Sequence, residues 1–234
     1  MSENIKKITK AFKVDLDSRE NQSIILKPSA RPFKAHQVNE VPAKIAEKIY
    51  NLIKDAKRPN DDTILNHNKI KEAFFNPFEP QLKDAQVFLS HSHADKNKAL
   101  KVKNYLESET NHRVFIDSIF WDYKDDVLNK LAKYDNTSKI KDAFTLILRE
   151  SLQNMIEKCP YFVFLESKNS VSNQGLSRIT YSAWIYEELK IAHSIRESRP
   201  TPMMESWQVS HNISPFLESL ETITLKKLSQ QINP

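Results

Sequence analysis

At 234 residues, 39% of them hydrophobic, the chain can supply one sizeable domain with an extension, or two small domains. A mean hydropathy of -0.58, with no apolar run near the roughly 18 residues a bilayer span needs, excludes a transmembrane reading. One cysteine, Cys159, excludes an internal disulfide framework and a multi-cysteine zinc site, and one glycine, Gly175, excludes both glycine-rich phosphate loops.

The net charge of +5 is carried by the N-terminal third. Residues 1–83 hold 16 Lys and Arg against 11 Asp and Glu, whereas residues 84–234 hold 19 of each. These cations are scattered among acids without interleaved aromatics, so a solvated basic extension is expected rather than a nucleic-acid site. The start, M-S-E-N-I-K-K, has no apolar stretch of the secretory kind. A cytoplasmic location with no membrane partner is the expectation.

In chain order, residues 1–40 read as irregular: they are polar, contain Pro28 and Pro32, and keep no sustained period. Ile45, Ile49, Leu52 and Ile53 then recur at helical spacing in a helix that ends near Lys57. R-P-N-D-D at 58–62 is a turn, and Asp62 or Thr63 can cap a second helix running toward Phe75. N-P-F-E-P at 76–80 reads as a linker. The expected division is thus a basic, partly helical extension over 1–80 and a second domain over 81–234.

Past the linker, short apolar runs alternate with helices. A-Q-V-F-L-S (85–90), R-V-F-I-D (113–117) and Y-F-V-F-L-E (161–166) read as buried strands. Helices are expected over 95–109 with Asp95 as N-cap, around 125–134, over 141–158, and through S-A-W-I-Y-E-E-L-K-I-A (182–192). A further strand is expected near Trp207–Val209 and a last helix around 221–231. Such alternation indicates an α/β fold of flavodoxin-like type, a parallel sheet of about five strands with helices on both faces. Ligands of such sheets bind at the carboxyl ends of the strands, here Ser90–Asp95, Asp117–Trp121 and Glu166–Asn169. Cys159 reads as a small core residue.

The helix at 182–192 contains an anomaly. At about 100° per residue, Ile191, Trp184, Ile195, Ala192, Ile185 and Leu189 form one apolar arc. Glu187 falls outside the arc beside Lys190 and Ser194, where a solvated carboxylate belongs. Glu188 falls near the middle of it. The residues alone leave two readings open, a carboxylate snorkelling from the core edge and a functional group.

V-F-L-S-H-S-H-A-D-K (87–96), V-F-I-D-S-I-F-W (114–121), F-V-F-L-E-S-K-N-S (162–170) and S-A-W-I-Y-E-E-L (182–189) together resemble the TIR (Toll/interleukin-1 receptor) domain family. The likeness covers roughly residues 84–225 and is closest to bacterial antiphage-defence members such as the TIR component of Thoeris systems. In enzymatic members of that family a Trp precedes the catalytic Glu by four residues, which selects Trp184 and Glu188 here. The resemblance implies cleavage of the nicotinamide–ribose bond of NAD, with NAD as substrate and no separate cofactor. It also implies a signalling nucleotide derived from ADP-ribose, self-association through the TIR domain, a phage-derived trigger and a downstream nucleotide-sensing effector. Glu188 is the expected catalytic residue. Trp184, His91, Ser92, His93, Asp117, Ser118 and Trp121 are the candidates for substrate binding. His91 and His93 have no evident third ligand, so no metal is expected. A non-catalytic TIR scaffold acting by homotypic assembly, and a nucleoside deoxyribosyltransferase-like enzyme, remain the alternatives.

Overall fold

The computed structural model describes residues 10–27, 47–52, 54, 67–75, 84–132, 138–174, 176–197 and 210–233. The chain divides into two compact units. The first comprises Met1–Ala30, Asp84–Asp117 and Leu152–Pro234, and the second Arg31–Lys83 and Ser118–Ser151.

The first unit is built on a five-stranded sheet. Three of its strands, β2 (Ala85–Ser90), β3 (Arg113–Ile116) and β4 (Tyr161–Glu166), are those expected from the apolar runs. The others, β1 (Lys10–Asp15) and β8 (Glu221–Thr222), arise where an irregular segment and the start of a helix were expected. The order is β3-β2-β4-β1-β8, and every pairing is parallel. The expected α/β class with a five-stranded parallel sheet is met. The first three positions follow the flavodoxin-like 2-1-3 arrangement. The fourth, normally filled by the next strand in sequence, is filled by the chain's own N-terminal strand.

That insertion corrects the division at residue 80, because residues 10–27 are part of the sheet unit. In K-A-F-K-V-D the apolar Phe12 and Val14 are fully buried, while Lys10 and Asp15 face solvent. Interspersed lysines hide this strand from a search for apolar runs. Ser18 caps helix α1 (Arg19–Ile25), its hydroxyl accepting from the Asn21 amide at 3.3 Å. The buried Asn21 carboxamide then donates to the Asp15 carbonyl (2.7 Å) and accepts from the Leu225 amide (2.9 Å). It thereby ties the first strand to α8 (Leu225–Ile232), and α1 and α8 pack with α3 (Lys96–Glu109). The sheet interior is aromatic: Phe115, Phe88 and Phe162 lie in register across three strands, with ring centroids 5.6 and 5.8 Å apart. Cys159 is fully buried, as expected of a core residue, and burial pushes its thiol up to about 12.

A smaller antiparallel sheet, not anticipated from the sequence, joins β5 (Ser172–Gln174), β6 (Ser177–Thr180) and β7 (His211–Asn212). It leads directly into α6 (Ala183–Glu197), which packs on β6 and on α7 (Ser214–Glu218).

In the second unit, helical residues 47–52 and α2 (His67–Phe75) accompany α4 (Ser118–Leu131) and most of α5 (Ser138–Lys158). Ile49, Ile70, Ala73, Val127, Leu128, Ile147 and Leu148 are buried, and Lys71 pairs with Glu150 at 2.7 Å. The expectations at Ile45, Ile53, residues 58–63, the linker 76–80 and the strand near 207–209 lie outside the described residues. No helix among the described residues is long and apolar enough to cross a membrane.

Candidate active site

Strand β2 ends on a fully buried Ser90, followed by buried His91 and Ser92. Strand β3, its neighbour, runs straight into buried Asp117. Both strands are parallel, so their polar ends emerge on the same edge of the sheet. Helix α6 supplies the third component. Its start is set by Ser182, whose hydroxyl accepts from the Ile185 amide at 3.2 Å. Ile185, Leu189, Ile191 and Ala192 then bury the expected face, and Glu188 among them has 0% of its surface exposed.

Glu188 is held well above the usual carboxylate range, first by burial and then by the Asp117 carboxylate beside it, while the Ser90 hydroxyl eases its ionisation. The Asp117 carboxylate also faces His91, Nδ1 lying 3.1 Å from Oδ1, and the His91 side chain is itself fully buried. The result is a buried row from Ser90 through Glu188 and Asp117 to His91, drawn from two strand ends and one helix. Ser90 was not singled out in the sequence, although a hydroxyl closing an otherwise apolar run was the signal for it.

Not every expected residue joins this group. His93 is exposed, in a short turn of 3-10 helix at His93–Asp95. Ser92 is buried at the start of that turn, its carbonyl accepting from the Asp95 amide at 2.8 Å. Ser118 opens α4 and is buried; with Trp121 it belongs to the second unit. The stretch after β3, expected as a loop, is thus helical from Ser118, and the side chain of Trp121 lies outside what is described. Trp184 is half-buried in the first turn of α6, one turn before Glu188. Glu187 departs from expectation: it is only 6% exposed, with Lys190 Nζ 3.8 Å away. Lys190 in turn lies 5.4 Å from the Tyr186 ring centroid.

Asp95 also has a different role from the expected cap. Its side chain makes no capping bond to α3. Instead, 2% exposed, it accepts from the Ser167 hydroxyl, from Asn169 Nδ2 at 3.0 Å and from Lys98 at 3.2 Å. Lys98 reaches on to Asp17 at 3.4 Å, whose other oxygen accepts from the Lys168 amide at 3.1 Å. Burial opposes the charge of Lys98, but Asp95 and Asp17 outweigh it and hold the ammonium above its ordinary value. These contacts fasten together the loops after β1, β2 and β4, three adjacent strand ends.

Among the described residues, no group of three or more His, Cys, Asp or Glu is placed to hold a metal ion. The buried carboxyl pair can exchange a proton internally, and in ionised form it can favour positive charge developing on a bound group. No protein-family model matches the chain, and neither a curated protein nor a solved structure does.

Proposed function

We propose that the chain is a TIR-type enzyme that cleaves the nicotinamide–ribose bond of NAD, with Glu188 as the catalytic carboxylate. One observation carries the reading. Glu188 stands fully buried on an apolar helix face, against Asp117 and Ser90 at the carboxyl ends of parallel strands. Open α/β sheets bind ligands at that edge.

In this reaction the C1′–N bond breaks and nicotinamide leaves with the bonding electrons as a neutral base. No general acid is needed, unlike ordinary glycoside hydrolysis. The ribosyl group becomes oxocarbenium-like, and an ionised Glu188 beside it favours that charge in a site from which water is excluded. The bound cationic pyridinium supports the ionisation that burial opposes. Capture by water gives ADP-ribose and releases a proton. Capture by a hydroxyl or ring nitrogen gives the signalling nucleotide that an antiviral role requires. Trp184 is assigned to the pocket wall, stacking on a base. Ser92 is assigned to substrate contact. Self-association, a phage-derived trigger, a nucleotide-sensing effector and a cytoplasmic location belong to the same reading.

A second reading is favoured by the Asp117–Glu188 pair itself. A glutamate nucleophile beside a second carboxyl suits nucleoside deoxyribosyl transfer, in which the departing base needs a proton. Mass spectrometry of separate incubations with NAD, and with a 2′-deoxynucleoside plus a free base, discriminates the two. Free nicotinamide from NAD supports the proposal. Base exchange without NAD loss replaces it with the second reading, and turnover of neither leaves a scaffold.

A further inference from the structure

We infer that His91 is a positioning residue that holds Asp117 against Glu188, and so sets the pH at which the buried carboxyl pair ionises. The inference deepens the reading of Glu188 as the catalytic group and rests on it for its kinetic consequence. Its geometric basis is separate. His91 follows β2 and Asp117 follows β3, two adjacent parallel strands paired at Leu89 and Ile116, so the two residues leave neighbouring strand ends one position out of step. Nδ1 and Oδ1 are 3.1 Å apart with both side chains buried. An imidazole nitrogen facing an ionised carboxylate must carry the hydrogen, because the carboxylate only accepts. The two atoms are in contact without a closed hydrogen bond, so the link is electrostatic. The groups facing Glu188 are Asp117 from the end of β3 and Ser90 from the end of β2. His91 is one residue beyond Ser90, so β2 supplies both a hydroxyl to Glu188 and a ring nitrogen to its partner.

The consequence follows from charge. A donor on Asp117 favours the ionised form of the pair; without it the pair keeps its proton to higher pH. Loss of this close, buried N–H contact to a charged group moves that ionisation upward by about one pH unit. Misplacing Asp117 also misdirects Glu188, which lowers turnover by about 10- to 100-fold while leaving substrate affinity nearly unchanged.

Two variants separate position from bulk. His91→Asn keeps an N–H at the place of Nδ1, whereas His91→Gln moves it out toward the place of Nε2. Carbon-13 NMR of Glu-labelled protein follows the Glu188 carboxyl, its signal assigned by its absence from Glu188→Gln. The Gln variant should raise the midpoint by about one pH unit and the Asn variant should leave it near that of the parent. NAD turnover should follow the same order, with KM changed less than about threefold. Equal titration in all three proteins, or equal damage in both variants, folding included, would overturn the inference. If only the Gln variant fails to fold, Asp117→Asn decides. With the acceptor gone, adding His91→Asn should change nothing further, and a further change would overturn the inference. A parent protein that titrates as described but leaves NAD intact would remove the enzymatic reading and keep the role of His91.

Discussion

A carboxyl with no exposed surface resists ionisation, so Glu188 opposes the stability of the fold above the pH at which a free glutamate ionises. The sign is definite. Its folded value lies above the ordinary 4.5, raised by burial and then by Asp117. The unfolded chain therefore releases this proton first, and stability falls as pH rises from about 4.5 through the folded value. Glu188→Gln should accordingly melt higher than the parent at neutral pH, by about 2–4 °C for each kcal/mol recovered, and melt alike near pH 4. Thermal melts of both proteins across that range check this, and parallel curves would contradict it. Asp95 makes the opposite case. Asp95→Ala leaves the Ser167 hydroxyl, Asn169 and Lys98 without their shared acceptor and should cost about 1–3 kcal/mol in urea unfolding, with Asp95→Asn intermediate. Glu188 was legible in the sequence because one carboxylate on an apolar arc breaks the helical period. Glu187 was misread by the same period. It is buried with Lys190 Nζ 3.8 Å away, and a helical wheel does not show tertiary cover of this kind.

Among the elements, those with continuous apolar runs were legible, and β4 matched its expected bounds of 161–166. Strands β1 and β8 were not, for different reasons. β1 alternates lysine with apolar residues within a polar segment, and β8 is two exposed residues long. Both take their identity from a neighbour: β1 pairs with β4 along its whole length, and β8 adds to the far side of β1. Pairing between residues 10 and 161 leaves no local trace in either stretch. Because Phe12 is fully buried opposite Val163, Phe12→Ala should destabilise the protein by about 3–5 kcal/mol. A solvated extension would instead tolerate the change within about 0.5 kcal/mol. Chemical denaturation distinguishes the two. The helix after β3 shows the converse error, since a polar, aromatic stretch at a strand end suggested a loop where α4 begins at once.

For the molecule as a whole, the α/β class could be read from sequence, but the partition of the chain could not. A linker with two prolines marks a break in local structure, and the sheet unit nonetheless takes residues from both sides of it. A fragment of residues 81–234 therefore lacks an inner strand and exposes the edges of β4 and β8, so it should be insoluble or molten. A soluble, cooperatively folding fragment would contradict this topology. Glu187, beside the proposed catalytic Glu188, is the natural control. The most direct measurement is nicotinamide release from NAD by the parent, Glu188→Gln and Glu187→Gln proteins, each with and without lysate of phage-infected cells as trigger and with folding checked by circular dichroism. Release by the parent is expected, with loss of about 10²–10³ in rate for Glu188→Gln and retention within about tenfold for Glu187→Gln. Equal release by both variants, loss confined to Glu187→Gln, or no release by the folded parent under either condition would contradict it.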